Sequence, residues 1–218
     1  MTTTSETVDD LITSGTFETT PDGLTLSDEF RATVSERRAR IADGRDDALD
    51  ELPAALRTAD VDPELLATYE ALREREPGLS STQAIVTSVL IDSSAPGSPP
   101  VSGVPEGFLP VHGGDAVRLV RLCDRCVVYV WRDDCPPCDA VRSTLSDVFG
   151  EDPPGKVLAL AVYGPDCAAR LQEAYDVVAG PTTLFTLDGR VDSRFVGVAD
   201  EETVGREIRT LQERSSSR

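Results

Sequence analysis

Residues 127–138 read Val-Val-Tyr-Val-Trp-Arg-Asp-Asp-Cys-Pro-Pro-Cys, a continuous apolar run followed by two cysteines three positions apart. Apolar residues then recur at helical spacing, at Val141, Leu145 and Val148. The stretch predicts a buried strand over 127–131 that delivers Cys135 and Cys138 to the start of a helix over 135–149. Unpaired backbone N–H groups and the helix dipole stabilise a thiolate at that end of a helix. Because a thiolate with a nearby partner thiol can attack a disulfide and then release itself, the stretch points to thiol–disulfide exchange.

The elements predicted downstream alternate between strands and helices. Residues 157–163 form a second continuous apolar run, as expected for a strand covered on both faces. Asp188-Gly189 lies between the apolar runs 183–187 and 191–197, which is a strong hairpin signal. Two more helices are predicted to begin at Asp166 and Asp200. The predicted order is β-α-β-α-β-β-α, which is typical of an α/β domain.

This region resembles the thioredoxin family. The features that carry the resemblance are Trp131 four residues before Cys135, the Cys135–Cys138 pair, and Gly180-Pro181-Thr182 just before the third strand. The resemblance covers about residues 108–212 and implies the α/β thioredoxin fold, a central mixed sheet flanked by helices. It also implies that Cys135 is the nucleophile, that Cys138 is the resolving thiol, and that Pro181 is a cis-proline beside the disulfide.

The resemblance further implies a groove for an extended client peptide beside the dithiol. The residues expected to shape this groove are Trp131, Pro136, Pro137, Gly180, Pro181 and Thr182. Asp134 stands where the family usually has a second tryptophan, Tyr129 where many members carry a buried aspartate, and Gly180 where a larger residue is usual. Asp133 and Asp134 disfavour a thiolate at Cys135 and so oppose the helix dipole.

The N-terminal part of the chain has a different pattern. Residues 1–92 predict a mostly α-helical domain of unknown role. Its predicted features are a hairpin at Pro21-Asp22-Gly23, helices capped at Asp62 and Ser80, and an interrupted helical segment with Leu49, Leu52, Pro53 and Leu56. Residues 93–107 are rich in Pro, Gly and Ser and are predicted to be a linker. They lead to the predicted thioredoxin-like domain at residues 108–214.

The charge of the chain restricts its partners. The formal net charge is -18, from 39 acidic and 21 basic residues, and Lys156 is the single lysine. This balance argues against a nucleic-acid partner, since phosphate binding needs positive charge. An acid-rich, lysine-poor composition resembles that of proteins from halophilic archaea. In molar salt the Debye length is roughly 3 Å, so repulsion among the carboxylates is largely screened.

The sequence also predicts a cytoplasmic protein. No apolar run approaches the roughly 20 residues of a membrane-spanning helix, so no membrane partner is expected. Residues 1–6 lack the basic and apolar regions that begin a signal peptide. With no leader predicted, the five cysteines are expected to serve reactive or metal-binding roles rather than a disulfide scaffold.

A second C-x-x-C sequence is formed by Cys123-Asp124-Arg125-Cys126. A zinc site shared by both pairs is disfavoured, because an extended strand would hold them roughly 15 Å or more apart and Zn–S bonds are about 2.3 Å long. The alternatives are a second dithiol, which relays electrons or locks the start of the strand, and two reduced cysteines without a special role. Cys167 is predicted to be a small buried residue. Neither a metal nor a bound cofactor is predicted.

Two functional hypotheses follow. The first is a protein disulfide oxidoreductase that acts on protein disulfide clients with an electron donor or acceptor that the sequence does not identify. The second is a redox-responsive adaptor, in which the helical domain binds a partner and the dithiol senses oxidation without turnover. A Cys–His hydrolase would need His112, the single histidine, but this residue lies in a Gly-rich loop and nothing places it near a cysteine.

Overall fold

The structure is a computed structural model that describes residues 4–21, 23–43, 53, 56, 61–150, 155–166 and 168–214. Asp22, Leu49, Leu52 and Cys167, which take part in the sequence-based predictions, lie outside these residues. The chain divides into two compact units, Met1–Asp92 and Ser93–Arg218. In the part of the chain that the structure describes, no helix is both long and apolar enough to span a membrane.

The first unit is mostly helical and contains one antiparallel hairpin. Its elements are α1 (Thr4–Thr13), β1 (Phe17–Thr20), β2 (Gly23–Leu26), α2 (Asp28–Ala42), α3 (Pro63–Arg75) and α4 (Ser81–Ile91). The Asp62 side chain accepts a hydrogen bond from the Glu64 backbone and caps α3. Ser80 and Gln83 form a reciprocal capping box at the start of α4. The unit has its own core, in which Phe30 and Leu72 are fully buried.

The second unit is built on a five-stranded mixed sheet. Its elements are β3 (Leu109–Val111), α5 (Gly113–Leu122), β4 (Arg125–Trp131), α6 (Pro136–Phe149), β5 (Leu158–Tyr163), α7 (Ala168–Tyr175), β6 (Thr182–Leu187), β7 (Arg190–Val196) and α8 (Glu201–Glu213). The strand order is β3-β5-β4-β6-β7. Strands β3, β5 and β4 run parallel, whereas β6 and β7 are antiparallel to their neighbours. The predicted fold class, a central mixed sheet flanked by helices together with a mostly helical N-terminal part, is confirmed.

Strand β4 is the central strand and positions the site. It is buried on both faces, as its continuous apolar sequence predicts. Val127, Tyr129 and Trp131 alternate onto the face that packs with α6 and α8. Cys126 lies at the first end of the strand, and the loop that leaves the other end reaches Cys135. The strand therefore separates the two C-x-x-C sequences.

Residues 93–107, the predicted linker, make contacts within the second unit. These residues belong to the second unit, and the boundary falls between Asp92 and Ser93. Val104 packs against the core of this unit, and the backbone carbonyl of Ser102 accepts a hydrogen bond from Arg142 of α6. A side chain of the helix thus supplies a hydrogen-bond partner to this irregular backbone.

Candidate active site

Cys135 and Cys138 are joined by a disulfide at the N-terminus of α6, with their Cα atoms 5.2 Å apart. Cys135 is the N-cap residue, and the Cys138 backbone N–H donates to the Cys135 Sγ atom at 3.2 Å. Pro136 and Pro137 occupy the first helical positions. Backbone N–H groups at these positions have no partner within the helix, so proline costs no helical hydrogen bond there. The Sγ of Cys135 thus takes the place of a capping oxygen, and a thiolate there would accept the same N–H.

Both sulfur-bearing residues are largely enclosed. Cys135 is 6% exposed and Cys138 is 4% exposed. The two cysteines line a small cleft of about 150 Å³, which we call the dithiol cleft. Its lining consists of Ser102, Gly103, Tyr129, Trp131, Arg132, Asp133, Asp134, Cys135, Cys138, Asp139 and Arg142. Sequence reasoning did not place Ser102, Gly103 or Arg142 beside the dithiol.

Charged groups of both signs surround the dithiol cleft. Asp133, Asp134 and Asp139 are exposed on its rim. Arg142 lies 3.4 Å from the Asp139 carboxylate. Tyr163 donates a hydrogen bond to Asp133 at 2.6 Å, and this bond raises the pKa of the Tyr163 phenol. The carboxylates disfavour a thiolate, while the helix N-terminus and the Arg142 guanidinium favour it.

Tyr129 is hydrogen-bonded to the first turn of α6. Its hydroxyl donates to the Cys138 carbonyl at 2.8 Å, and the residue is fully buried. Burial raises the pKa of Tyr129, so the phenol keeps its proton at neutral pH. Tyr129 therefore acts as a hydrogen-bond donor to the helix and not as an anionic base.

The Gly180–Pro181 peptide bond is cis and lies beside the end of β4 that leads to the dithiol. Strand β6 pairs there with β4, and Val130 is opposite Thr182. A Cβ atom at Gly180 would lie 3.1 Å from the Val130 carbonyl oxygen, so this approach favours glycine. The Pro181 carbonyl accepts the Gly197 N–H at 2.9 Å, which ties the segment to the end of β7.

A second, apolar cleft of about 350 Å³ lies next to this segment. Its lining consists of Val130, Trp131, Arg132, Gly164, Pro165, Leu171, Val177, Val178, Ala179 and Gly180. Of the six residues expected to shape a client groove, Trp131 lines both clefts and Gly180 lines the apolar one. Pro136 and Pro137 are exposed, whereas Pro181 and Thr182 are buried. These three prolines and Thr182 line neither of these two clefts.

The candidate second dithiol lies at the opposite end of β4. Cys123 is the C-cap residue of α5, and its N–H bonds the Leu119 carbonyl. Cys126 follows in β4, and both cysteines are reduced and buried. The hydrogen bond from Cys123 raises the pKa of the Cys126 thiol well above its ordinary value, and burial adds to this shift. The Cys126 thiol also points to the Leu119 carbonyl, with a sulfur–oxygen distance of 4.0 Å.

The two cysteine pairs do not converge on one point. Their separation by β4 is the arrangement that disfavours a shared zinc site. Within the described residues, no three or more His, Cys, Asp or Glu side chains are grouped so that they could hold a metal ion.

No family model matches the chain, and no curated protein matches it. Solved structures similar to it include thioredoxins. A mutant thioredoxin from Halobacterium salinarum is 22% identical with a TM-score of 0.43, and the match covers 56% of this chain and 99% of that one. A thioredoxin from Malassezia sympodialis is 25% identical with a TM-score of 0.42, over 50% of this chain and 94% of that one. Mitochondrial thioredoxin 3 from Saccharomyces cerevisiae is 18% identical with a TM-score of 0.41, over 47% of this chain and 94% of that one.

Proposed function

We propose that this chain is a protein disulfide oxidoreductase that exchanges disulfides with protein clients through Cys135 and Cys138. The observation that carries the proposal is the disulfide at the N-terminus of α6, where the Sγ of Cys135 accepts a backbone N–H. A helix N-terminus stabilises the thiolate that exchange requires. The partner that supplies or accepts electrons is a second dithiol or disulfide.

The exchange is a pair of sulfur displacements. In the oxidising direction, a client thiolate attacks the Cys135 Sγ and breaks the Cys135–Cys138 bond. Cys138 leaves as a thiolate and takes up a proton, and the client is held in a mixed disulfide with Cys135. A second client thiolate then attacks the client sulfur of this bond, so that a client disulfide forms and Cys135 leaves as a thiolate. The client loses two electrons and the dithiol gains them, and the reducing direction is the same sequence reversed.

The proposed client groove runs past the end of β4, over Trp131, Pro136, Pro137, Gly180, Pro181 and Thr182. Two features support an extended client at this place. Gly180 lines the apolar cleft next to this segment. Pro181 has no N–H of its own, so it does not compete for the backbone groups of a client strand.

The test is reduction of insulin by dithiothreitol, measured as turbidity, with the wild type, Cys135→Ser and Cys123→Ser in molar KCl. The salt is chosen because it screens the repulsion expected from a net charge of -18. We expect the wild type and Cys123→Ser to accelerate the reaction over many turnovers. Cys135→Ser should fall to the rate of dithiothreitol alone, because serine cannot form the mixed disulfide. Equal activity of Cys135→Ser and the wild type would exclude the proposed mechanism.

The redox-responsive adaptor is the second candidate function. The enclosure of Cys135 and Cys138, at 6% and 4% exposure, favours it, since a sensor needs no access for large clients. In this case we propose that the helical unit, Met1–Asp92, binds the partner. A wild type that is folded by circular dichroism, is reduced by dithiothreitol and shows no turnover with insulin would favour the adaptor over the general oxidoreductase.

A further inference from the structure

Residues 102–106 have an irregular conformation and begin at the dithiol cleft, which Ser102 and Gly103 line, and we call this segment the strap. Two hydrogen bonds join it to α6. Arg142 Nη1 donates to the Ser102 carbonyl at 2.8 Å, and the Glu106 N–H donates to Ser146 Oγ at 3.0 Å. Each bond joins residues that are forty positions apart in sequence, so both ends of the strap are attached to α6.

The strap follows the helix face that carries the resolving thiol. Cys138, Arg142 and Ser146 are spaced four residues apart, which places them on one face of α6. At the C-terminal end of α6, the rings of Phe108 and Phe149 meet edge to face, with their centroids 4.7 Å apart. The strap is thus attached to the helix along its length and leads away from Cys138.

Gly103 brings the strap into direct contact with the site. A Cβ atom at this position would lie 2.7 Å from Cζ3 of Trp131 and still closer to two neighbouring ring carbons. The Gly103 backbone therefore packs closely against the indole ring, and a residue with a Cβ atom fits only if the backbone or the ring shifts. Gly103 and Ser102 line the cleft of about 150 Å³ that Cys135 and Cys138 also line.

We propose that the strap determines the side from which a client reaches the dithiol, with Gly103 as its specificity-determining residue. This inference rests on the proposed disulfide exchange. Ser102 and Gly103 line the cleft that Cys135 and Cys138 share, so the strap limits access to the sulfur atoms from this side, and a client approaches along the proposed groove at Gly180 and Pro181. Cys138 is thereby kept for the mixed disulfide on Cys135 and is shielded from other thiols and disulfides.

The experiment measures alkylation of Cys138 by iodoacetamide in the reduced full chain, in molar KCl, with each cysteine quantified by peptide mass spectrometry. The variants are Gly103→Ala, which pushes the strap off Trp131, and Ser146→Ala, which removes the acceptor for Glu106. Gly155→Ala is the matched control, because a Cβ there has one contact, at 4.0 Å, in the part of the chain that the structure describes.

We expect Gly103→Ala to raise the Cys138 alkylation rate about tenfold and Ser146→Ala to raise it about two- to threefold, through local opening. Gly155→Ala should match the wild type. Cys126, which is fully buried elsewhere in the unit, is the internal control for global unfolding.

An unchanged Cys138 rate in both strap variants would overturn the proposal, and so would a parallel rise at Cys138 and Cys126. Alkylation does not depend on turnover. An inactive wild type whose Cys138 becomes accessible in Gly103→Ala would therefore refute the oxidoreductase but support the shielding strap.

Discussion

The two C-x-x-C pairs at the ends of β4 have the same spacing and opposite environments. Cys135 begins a helix, and its sulfur accepts a backbone N–H. Cys123 ends a helix, and the neighbouring Cys126 thiol points to the carbonyl of Leu119. A helix N-terminus favours negative charge and a C-terminus opposes it. The comparison shows that the same C-x-x-C spacing occurs at opposite ends of helices, so the spacing alone does not define the surroundings of the thiols.

The largest expected difference between the pairs is in thiol reactivity. In the reduced protein at about pH 8, iodoacetamide should modify Cys135 at least about 100-fold faster than Cys123 or Cys126, because the thiolate is the reactive species. The raised pKa of Cys126 and its complete burial both slow its reaction. Quenched samples analysed by peptide mass spectrometry give the rates. Comparable alkylation rates for all three thiols would contradict the proposal that the thiol at the helix N-terminus is the more reactive one.

Replacing one cysteine by serine in each pair should lower the free energy of unfolding by different amounts at the two ends of β4. Cys126→Ser places a hydroxyl in a fully buried site and should lower the free energy of unfolding by about 1–3 kcal/mol. Cys135→Ser, in the reduced protein, should change it by less, since serine is a favoured N-cap residue. Urea unfolding in molar KCl, followed by circular dichroism, measures both. A larger loss in Cys135→Ser would contradict this assignment of the two environments.

The raised pKa of Cys126 predicts a loss of stability in alkali. The unfolded chain loses this proton near pH 9.0, while the folded state retains it. The contribution of the Cys126 thiol to the free energy of unfolding is therefore complete below that pH. It decreases as the pH rises above it, by up to about 1.4 kcal/mol per pH unit.

The measurement is urea unfolding of the reduced protein between about pH 8 and about pH 10, compared with Cys126→Ala. We expect a shallower slope in the variant, because it lacks the titrating thiol. Above about pH 10 the buried Tyr129, whose pKa is also raised, adds to the loss in both proteins. Identical slopes below that pH would show that Cys126 is not the group responsible.

The smallest expected effect is that of Tyr129→Phe. The change removes the hydrogen bond to the Cys138 carbonyl and should lower the free energy of unfolding by about 0.5–1.5 kcal/mol. A matched change at the other end of β4 is Thr186→Val, which removes a bond of 3.2 Å to the Cys126 carbonyl. If Tyr129 positions the resolving thiol, only Tyr129→Phe should also alter the alkylation rate of Cys138. An equal change in Thr186→Val would leave Tyr129 with a structural role alone.

Patterns local in sequence predicted most of the fold. The apolar runs at 127–131 and 157–163 and the Asp188-Gly189 turn correspond to β4, β5 and the β6–β7 hairpin. Strand β4 begins two residues earlier than predicted, because its pairing with β5 and β6 extends to charged Arg125 and to Cys126. The short edge strand β3 was not predicted, since three residues carry no periodic signal.

The candidate site was predictable only in part, for the same reason. The Cys135–Cys138 pair at a helix start depends on neighbours in sequence, and the structure places it there. The strap depends on contacts forty residues apart, between Ser102 and Arg142 and between Glu106 and Ser146. The spacing of Cys138, Arg142 and Ser146 was a signal that one helix face had further contacts to make. It does not reveal which segment makes them.

The position of Trp131 gives the protein an optical reporter. It is the single tryptophan of the chain, it is 2% exposed, and it lines the same cleft as the Cys135–Cys138 disulfide. The disulfide and the indole line one cleft, so reduction of the disulfide changes the surroundings of the indole ring. Emission from the unlabelled protein should therefore change when the disulfide is reduced. Titration against a redox buffer would then give the reduction potential of the pair directly.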